Sequence, residues 1–159
     1  MNKRIILSLL LALVFNGYSF SQINDYFSFE LAGSGGLASF NYERTFLDKE
    51  MIDLNWRVGF SYAPVDKNNG GALVFPVLVH GLIGKNAHKL DVGLGQTFSI
   101  TTKGRPFIMM PTVLGYRFQP IEKNYFLRLA YTPIISYLVD FQVQHWAGFT
   151  YGYHFNRKK

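Results

Sequence analysis

Apolar and polar residues alternate one for one along most of this chain. Between Ile52 and Tyr62 the apolar set Ile52, Leu54, Trp56, Val58, Phe60 and Tyr62 is interleaved without a break by Asp53, Asn55, Arg57, Gly59 and Ser61. A period of two predicts a strand with unlike faces, because an amphipathic helix repeats at about 3.6 residues. The last such stretch, His145 to Phe155, says what the two faces meet. Its odd positions read His, Ala, Phe, Tyr, Tyr, Phe, and its even positions Trp, Gly, Thr, Gly, His. A soluble sheet buries its large apolar face and shows water a polar one. Here the face opposite the aromatics is too small and polar to be a soluble exterior, so the arrangement is inverted, apolar outside and polar inside, as in a transmembrane β-barrel.

Counting period-two segments between turn signals predicts an all-β fold, a closed antiparallel up-and-down transmembrane β-barrel of about eight strands. The segments are Tyr26–Ala32, Leu37–Phe46, Ile52–Tyr62, Ala72–Ile83, Leu90–Ile100, Phe107–Phe118, Tyr125–Thr132 and His145–Phe155. In the nearly all-apolar fourth, Val77, Val79 and Ile83 are placed outward and His80 inward. An even count brings both termini to the periplasmic side, so Gly33–Gly36, Ala63–Gly71, Thr101–Pro106 and Pro133–Gln144 become the extracellular connections. Pro76 and Pro111 fall inside strands, where a residue without an N–H calls for a bulge or a rim position. Together with Pro133 they predict an irregular, proline-marked rim.

The N-terminus carries an address. Lys3 and Arg4 precede an apolar run from Ile5 to Phe15, and Ser19-Phe20-Ser21 supplies small residues for cleavage. The run is too short to cross a bilayer core of roughly 30 Å. Residues 1–21 therefore read as a cleaved signal peptide, 22–155 as an outer-membrane barrel of a Gram-negative bacterium, and 156–159 as a basic tail. With no cysteine there is no disulfide framework and no lipid-attachment site.

The net charge of +6 includes Lys3 and Arg4, which leave with the signal, and the tail Arg157-Lys158-Lys159. No Lys/Arg stripe interleaved with aromatics marks one face, so no nucleic-acid interface is expected. Aromatics at 17% of residues suit the lipid-facing band and interfacial girdles of such a barrel.

The inward positions collect Glu30, Glu43, Asp53 and Asp91 with Arg57, Arg117 and Arg128. Charges inside a narrow low-dielectric lumen must pair or be solvated. Two readings follow, a salt-bridged plug in a lumen just wide enough for side chains, and a gated path for ions or protons. The plug fits a barrel of this size better, since open pores need more strands. Catalysis would need Ser, His and an acid converging near the outer leaflet. His145 lies at the outer rim with Ser136 and Asp140 nearby in sequence, but His88 and His154 fall near the periplasmic end and no histidine has a serine two residues later. No enzyme is predicted. The scattered histidines make no metal motif, Asp66-Lys67-Asn68-Asn69-Gly70 lacks the alternating ligands of a calcium loop, and no cofactor is implied. Gly93 and Gly95 sit within a strand and are expected to relieve crowding beside a large inward neighbour.

The apolar segment Pro133–Phe141, with Ile134, Ile135, Tyr137, Leu138 and Phe141, either continues the seventh strand or folds over the barrel mouth, or else docks a larger outer-membrane complex. Beyond that, the expected partners are outer-membrane lipid and, during biogenesis, the barrel assembly machinery.

Several pieces carry a resemblance. Gly115-Tyr116-Arg117-Phe118-Gln119-Pro120, Phe75-Pro76-Val77 leading to Leu82-Ile83-Gly84-Lys85, Leu90-Asp91-Val92-Gly93-Leu94-Gly95, Tyr131-Thr132-Pro133 and Trp146-Ala147-Gly148…Gly152-Tyr153-His154-Phe155 resemble a family of small outer-membrane β-barrel proteins of Bacteroidota-type bacteria. The resemblance implies Asp91 as the counterpart of the family's acidic residue in the fifth strand. The family usually ends on its terminal aromatic, whereas Asn156-Arg157-Lys158-Lys159 extends this chain past Phe155. It has no agreed activity, so the resemblance implies location and fold rather than chemistry.

Overall fold

The computed structural model describes residues 24–66, 70–137 and 141–155. Residues 1–21, expected to be a signal peptide, the basic tail, Asn68-Asn69, Leu138 and Asp140 lie outside the described residues. The strands are β1 (Asp25–Gly33), β2 (Gly36–Lys49), β3 (Ile52–Asp66), β4 (Gly70–Ile83), β5 (His88–Thr101), β6 (Pro106–Phe118), β7 (Tyr125–Tyr131), β8 (Ile134–Ser136), β9 (Gln142–Gln144) and β10 (Ala147–His154). Consecutive strands from β1 to β7 pair antiparallel, β7 pairs with β10, and β10 returns to β1, which closes the sheet.

The two short strands are not extra staves. Leu114 faces Tyr131 across β6 and β7, and Pro111 faces Ile134 across β6 and β8 in the same register. The Thr112 N–H donates to Pro133 O at 2.9 Å, and the Thr132 N–H donates to Trp146 O at 2.8 Å, so the ladder runs through the break. Pro133 has no N–H to give, which interrupts one strand rather than ending it. Thus β7 with β8, and β9 with β10, are single strands, and the barrel has eight staves. The described residues of Pro133–Gln144 thus form a hairpin continuing both flanking strands, so the segment is a connection only at its tip, and of the readings given for Pro133–Phe141 it is the one that continues the seventh strand. The connection expected over Ala63–Gly71 is likewise mostly strand, with β3 reaching Asp66 and β4 starting at Gly70.

The prolines are handled differently from the expected bulges. Pro76 stays paired with Thr97 of β5, and on its other side lies opposite Gly59, where the β3–β4 ladder skips from Val58–Val77 to Ser61–Val74. A Cβ on Gly59 would come within 2.9 Å of the Pro76 ring. Pro111 lies opposite Gly95, where the β5–β6 ladder skips from Leu94–Thr112 to Thr97–Met109 without a shift. Each proline therefore costs ladder hydrogen bonds but keeps register; Gly59 leaves room for the Pro76 ring, whereas a Cβ on Gly95 would meet the Val77 carbonyl and Leu78 of β4, the latter the large inward neighbour expected there. The register shifts fall elsewhere, at Thr45/Leu47 and Pro64/Asp66.

Alternation then sorts the faces. Phe27, Phe40, Val79, Leu94, Leu114, Leu129, Phe149 and Tyr151 point outward and are exposed, while Ser28, Glu30, Asn41, Arg57, His80, Asp91, Arg128 and Thr150 point inward and are buried. In the fourth stave Val77, Val79 and Ile83 are outward and Leu78, His80 and Leu82 inward. The lumen is layered. At the end where Asn24 and Phe155 lie, the Tyr26 ring stacks on His154 at 4.5 Å and meets Phe126 edge-on at 5.7 Å. The charged residues fill the middle. Towards the far end the lining turns apolar, with Leu78, Val113 and Ala130 packed together.

An arginine at the middle of the outward band separates a lipid-facing surface from a watery one. Leu129→Arg, at a side chain 64% exposed, is expected to destabilise the barrel in lipid vesicles by about 2–4 kcal/mol, read from urea unfolding; a change within about 0.5 kcal/mol, the norm for a watery surface, contradicts the inside-out reading.

Candidate functional site: the buried charge layer

Three carboxylates and three guanidiniums meet in the middle of the lumen, each on a different stave. Strand alternation puts them there: Glu30 on β1, Glu43 on β2, Arg57 on β3, Asp91 on β5, Arg117 on β6 and Arg128 on β7 all occupy inward positions, and none is more than 1% exposed. Arg128 is the hub. Its Nη2 donates to Glu30 Oε1 at 2.7 Å, its Nη1 to Asp91 Oδ2 at 3.2 Å, and its Nε to Thr150 Oγ1 at 3.2 Å. Glu30 also accepts from Arg57 Nη1 at 3.4 Å and from the Ser34 hydroxyl at 2.9 Å, and Arg57 donates to that same hydroxyl. Arg117 spans the barrel to Glu43, at 2.5 Å, and Asn55 donates to the same carboxylate oxygen at 2.8 Å.

The pairing is dictated by partners across the lumen more than by sheet neighbours. Arg117 and Arg128 lie directly opposite each other on β6 and β7, where like charges repel. They part company: Arg128 turns to Glu30 and Asp91, and Arg117 to Glu43, with its guanidinium 3.6 Å from the centre of the Phe126 ring and 4.7 Å from that of Tyr26. Glu43 sits opposite Arg57 on β2 and β3, yet Arg57 bonds Glu30. Each ion so reaches a counter-ion on a non-adjacent stave or one across a hairpin, and the charges balance three against three.

Asp53 stands apart from this layer. It is inward on β3 but at the terminal end, where it pairs with Lys89 beside a mixed-charge cavity of about 770 Å³ also lined by Asp48, Glu122 and Lys123. The reason is position along the strand: Asp53 is the second residue of β3, so its face is right and its depth is not. Lys89 was not among the residues singled out from the sequence; the one signal for it was the inward parity it shares with Asp91 two residues on, which gives its face and not its partner.

His80 joins the layer from β4, its Nδ1 2.7 Å from Asp91 Oδ1 and its ring fully buried. Directly opposite it is Gly93, where a Cβ would stand 2.9 Å from Nδ1. The same device recurs at Gly152, whose missing side chain leaves space for the Phe126 ring facing it. Ser34, Asn55 and Thr150, which also bind the ions, gave no sequence signal beyond inward parity. Ser34 is a surprise, because a turn residue is usually wet. Here the β1–β2 turn folds inward, with Ser34 only 1% exposed and its carbonyl accepting from the Thr97 hydroxyl of β5 at 3.5 Å. Gly36, at φ 91°, and Ala32, at φ 51°, provide the left-handed backbone that the bend needs.

The remaining candidates scatter. His145 is outward, its Nδ1 bonded to the Tyr131 hydroxyl, whereas Ser136 shares the inward parity of Ile134, so the two lie on opposite faces of their hairpin. His88 pairs with the Tyr116 hydroxyl on the outer surface. Of the apolar segment, Ile134 is inward and 4% exposed, Ile135 is half-buried, and Tyr137 and Phe141 are exposed, with Tyr137 accepting from the Gln96 side chain at 2.8 Å. Among the described residues no group of His, Cys, Asp and Glu is disposed to hold a metal ion.

Two solved structures share the fold. The N-terminal β-barrel domain of Pseudomonas aeruginosa OprF superposes with a TM-score of 0.56 at 12% identity, over 84% of this chain and 96% of that one. The fold is that of an eight-stranded outer-membrane barrel. Neisserial surface protein A superposes with a TM-score of 0.50 at 10% identity, over 85% and 96% of the two chains. At these identities the likeness is one of fold. No family model matches the chain, and no curated protein matches it in sequence.

Removing the hub leaves two buried carboxylates short of a counter-ion. Arg128→Met is expected to cost about 3–5 kcal/mol in vesicle unfolding, and Glu30→Gln combined with it to recover part of that loss. A single variant that unfolds within about 1 kcal/mol of the parent would mean that water already solvates these groups.

Proposed function

We propose that this chain is a small integral outer-membrane barrel whose lumen is closed by its own side chains, serving as a structural or accessory component of that membrane without catalysis. The observation that carries the reading is the ion layer: Glu30, Glu43, Arg57, His80, Asp91, Arg117 and Arg128 reach across the lumen to one another with 0–1% of their surface exposed. A charge in a conducting path must be able to exchange partners with a passing ion or with water, and these are held by fixed partners on several staves. A lumen bounded by eight strands is of the width that side chains fill. The apolar outward band and the closed sheet, which leaves no unpaired edge through its middle, fit residence in a bilayer. Export by the N-terminal signal, insertion by the barrel assembly machinery and membership in the Bacteroidota-type family belong to the same reading.

The lack of catalysis is supported by the separation of His145 and Ser136 onto opposite faces of the hairpin. The exposed Tyr137 and Phe141 at its tip are the surface on which a larger outer-membrane complex would seat.

Planar-bilayer recording tests the closed lumen. The native barrel is expected to insert without stepwise ion currents, and a triple Glu30→Ala, Arg57→Ala, Arg128→Ala variant that still folds to give small steps. Stepwise conductance in the native protein would make it a narrow channel, and turnover of a lipid substrate lost on His145→Ala would make it an enzyme; either result overturns the proposal.

A further inference from the structure

The far end of the barrel is built unevenly. Its ladder between β1 and β10 ends at Leu31–Phe149, and β1 turns back at Gly33, which pairs with Gly36. The hairpins beside it climb on. On one side β9 continues to Gln142 with β8 as its strand partner, so that among the described residues its other edge faces no strand. On the other, the β2–β3 ladder stops at Ser39–Ser61 while β3 goes on pairing with β4 as far as Asp66–Gly70. The rim thus has one low side, above the β1–β2 turn.

Inside that low side lies a cavity of about 280 Å³, near the lower bound of roughly 300 Å³ for small-molecule sites. Its floor is the inward-folded turn that covers the ion layer, and its walls carry Val74, Phe107, Met109, Ile134 and Trp146, with Leu37 at the lip. Apolar lining is the reverse of what the lumen of a membrane barrel normally shows, and Val74 and Ile134 are each 4% exposed there. The lip does not open into bulk water alone. Outward apolar side chains flank it on both sides and above the level of the turn: Tyr62 on β3, and Val143 and Phe141 on the β8–β9 hairpin, are all exposed. The low side therefore opens within the apolar band that faces lipid. Along it the unpartnered edge of β9 presents backbone N–H and C=O groups, which at that depth need a polar partner.

We propose that this cavity takes the hydrocarbon chain of a membrane amphiphile, which enters over the β1–β2 turn and leaves its polar head against the edge of β9. Continuity of the apolar lining with the outward band selects a hydrocarbon chain over a water-soluble ligand, and the polar edge beside it selects an amphiphile over a plain hydrocarbon. The glycine-rich turn is what makes the entrance: Gly35 and Gly36 put no side chain across it, and a Cβ on Gly35 would stand 2.6 Å from that of Ser39.

The chain contains two tryptophans. Trp56 packs beside Tyr42 on the outer surface, and Trp146 lines the cavity. In a Trp56→Phe background, folded in detergent, Trp146 is the sole tryptophan, and bromine atoms on a fatty-acyl chain quench it at short range. Titration with dibromostearic acid is expected to give a saturable loss of about half or more of the Trp146 emission, reversed by unbrominated stearic acid. Ala72→Phe, which fills the cavity from β4, is expected to abolish the saturable part, and Ala63→Phe at its more open wall to weaken it at least tenfold should the first variant fail to fold. Quenching that rises linearly and equally in the native and filled proteins is partition into the micelle and overturns the proposal. So does an absence of quenching, the outcome expected if a peptide strand of a partner protein is the occupant of that edge.

Discussion

Every other feature of this barrel has to accommodate a set of ions buried among its inward side chains. Three carboxylates and three arginines at 0–1% exposure would each be costly alone, since the effective penalty for burying an ion is several kcal/mol even after relaxation. They are tolerated because Arg128, Arg57 and Arg117 each bond a carboxylate on another stave, and because Ser34, Asn55 and Thr150 occupy some of the lone pairs and N–H groups that the ions leave over, although Glu43 Oε2, Arg57 Nε and Arg117 Nε and Nη2 bond no other group of the described residues. Buried ion pairs are poor evidence for net stability, and an apolar filling of the same volume is often at least as stable. What they supply here is register. A slip by one residue in any stave moves its ion to the lipid face, where an arginine or carboxylate is more costly still.

That requirement explains choices that look odd locally. Gly93 lies opposite His80 and Gly152 opposite Phe126 because a lumen filled at this density has no volume for two side chains at those levels. Pro76 and Pro111 face Gly59 and Gly95 in unbroken register, so the ladder gives up hydrogen bonds there rather than shift the ions above and below. Even a two-residue connection takes part: the β1–β2 turn sends Ser34 into the lumen to bond Glu30 and Arg57, and in doing so it lowers one side of the rim and roofs the charged layer from the apolar chamber above it.

Much of this was legible in the sequence because a period of two carries it. The unbroken alternation of Ile52–Tyr62 and of His145–Phe155 defined both faces, and inward parity alone brought Glu30, Glu43, Arg57, Asp91, Arg117 and Arg128 to one side of the sheet. Depth was not legible. Asp53 has the right parity and lies at the terminal end with Lys89, because parity says which face a residue takes and nothing about its height. The choice of partner was not legible either, since it depends on which staves meet across the lumen. Pro133 misled for a third reason: proline forbids one hydrogen bond, and the sequence cannot show that Thr112 and Trp146 would carry the ladder past it. The inward bend of Ser34-Gly35 left no trace beyond its glycines.

Whether the middle of the lumen is dry separates a closed ion layer from a water-filled one. Ser28 lies on the inward face of β1 at the level of the ions, is 4% exposed, and its hydroxyl bonds no other group of the described residues. The chain has no cysteine, so Ser28→Cys places a single thiol there with little change in volume. In sealed vesicles a charged, membrane-impermeant thiosulfonate should fail to modify it from either side while labelling it fully after unfolding in urea. Rapid labelling of the folded protein would mean a water-filled lumen, and the closed ion layer would then be wrong.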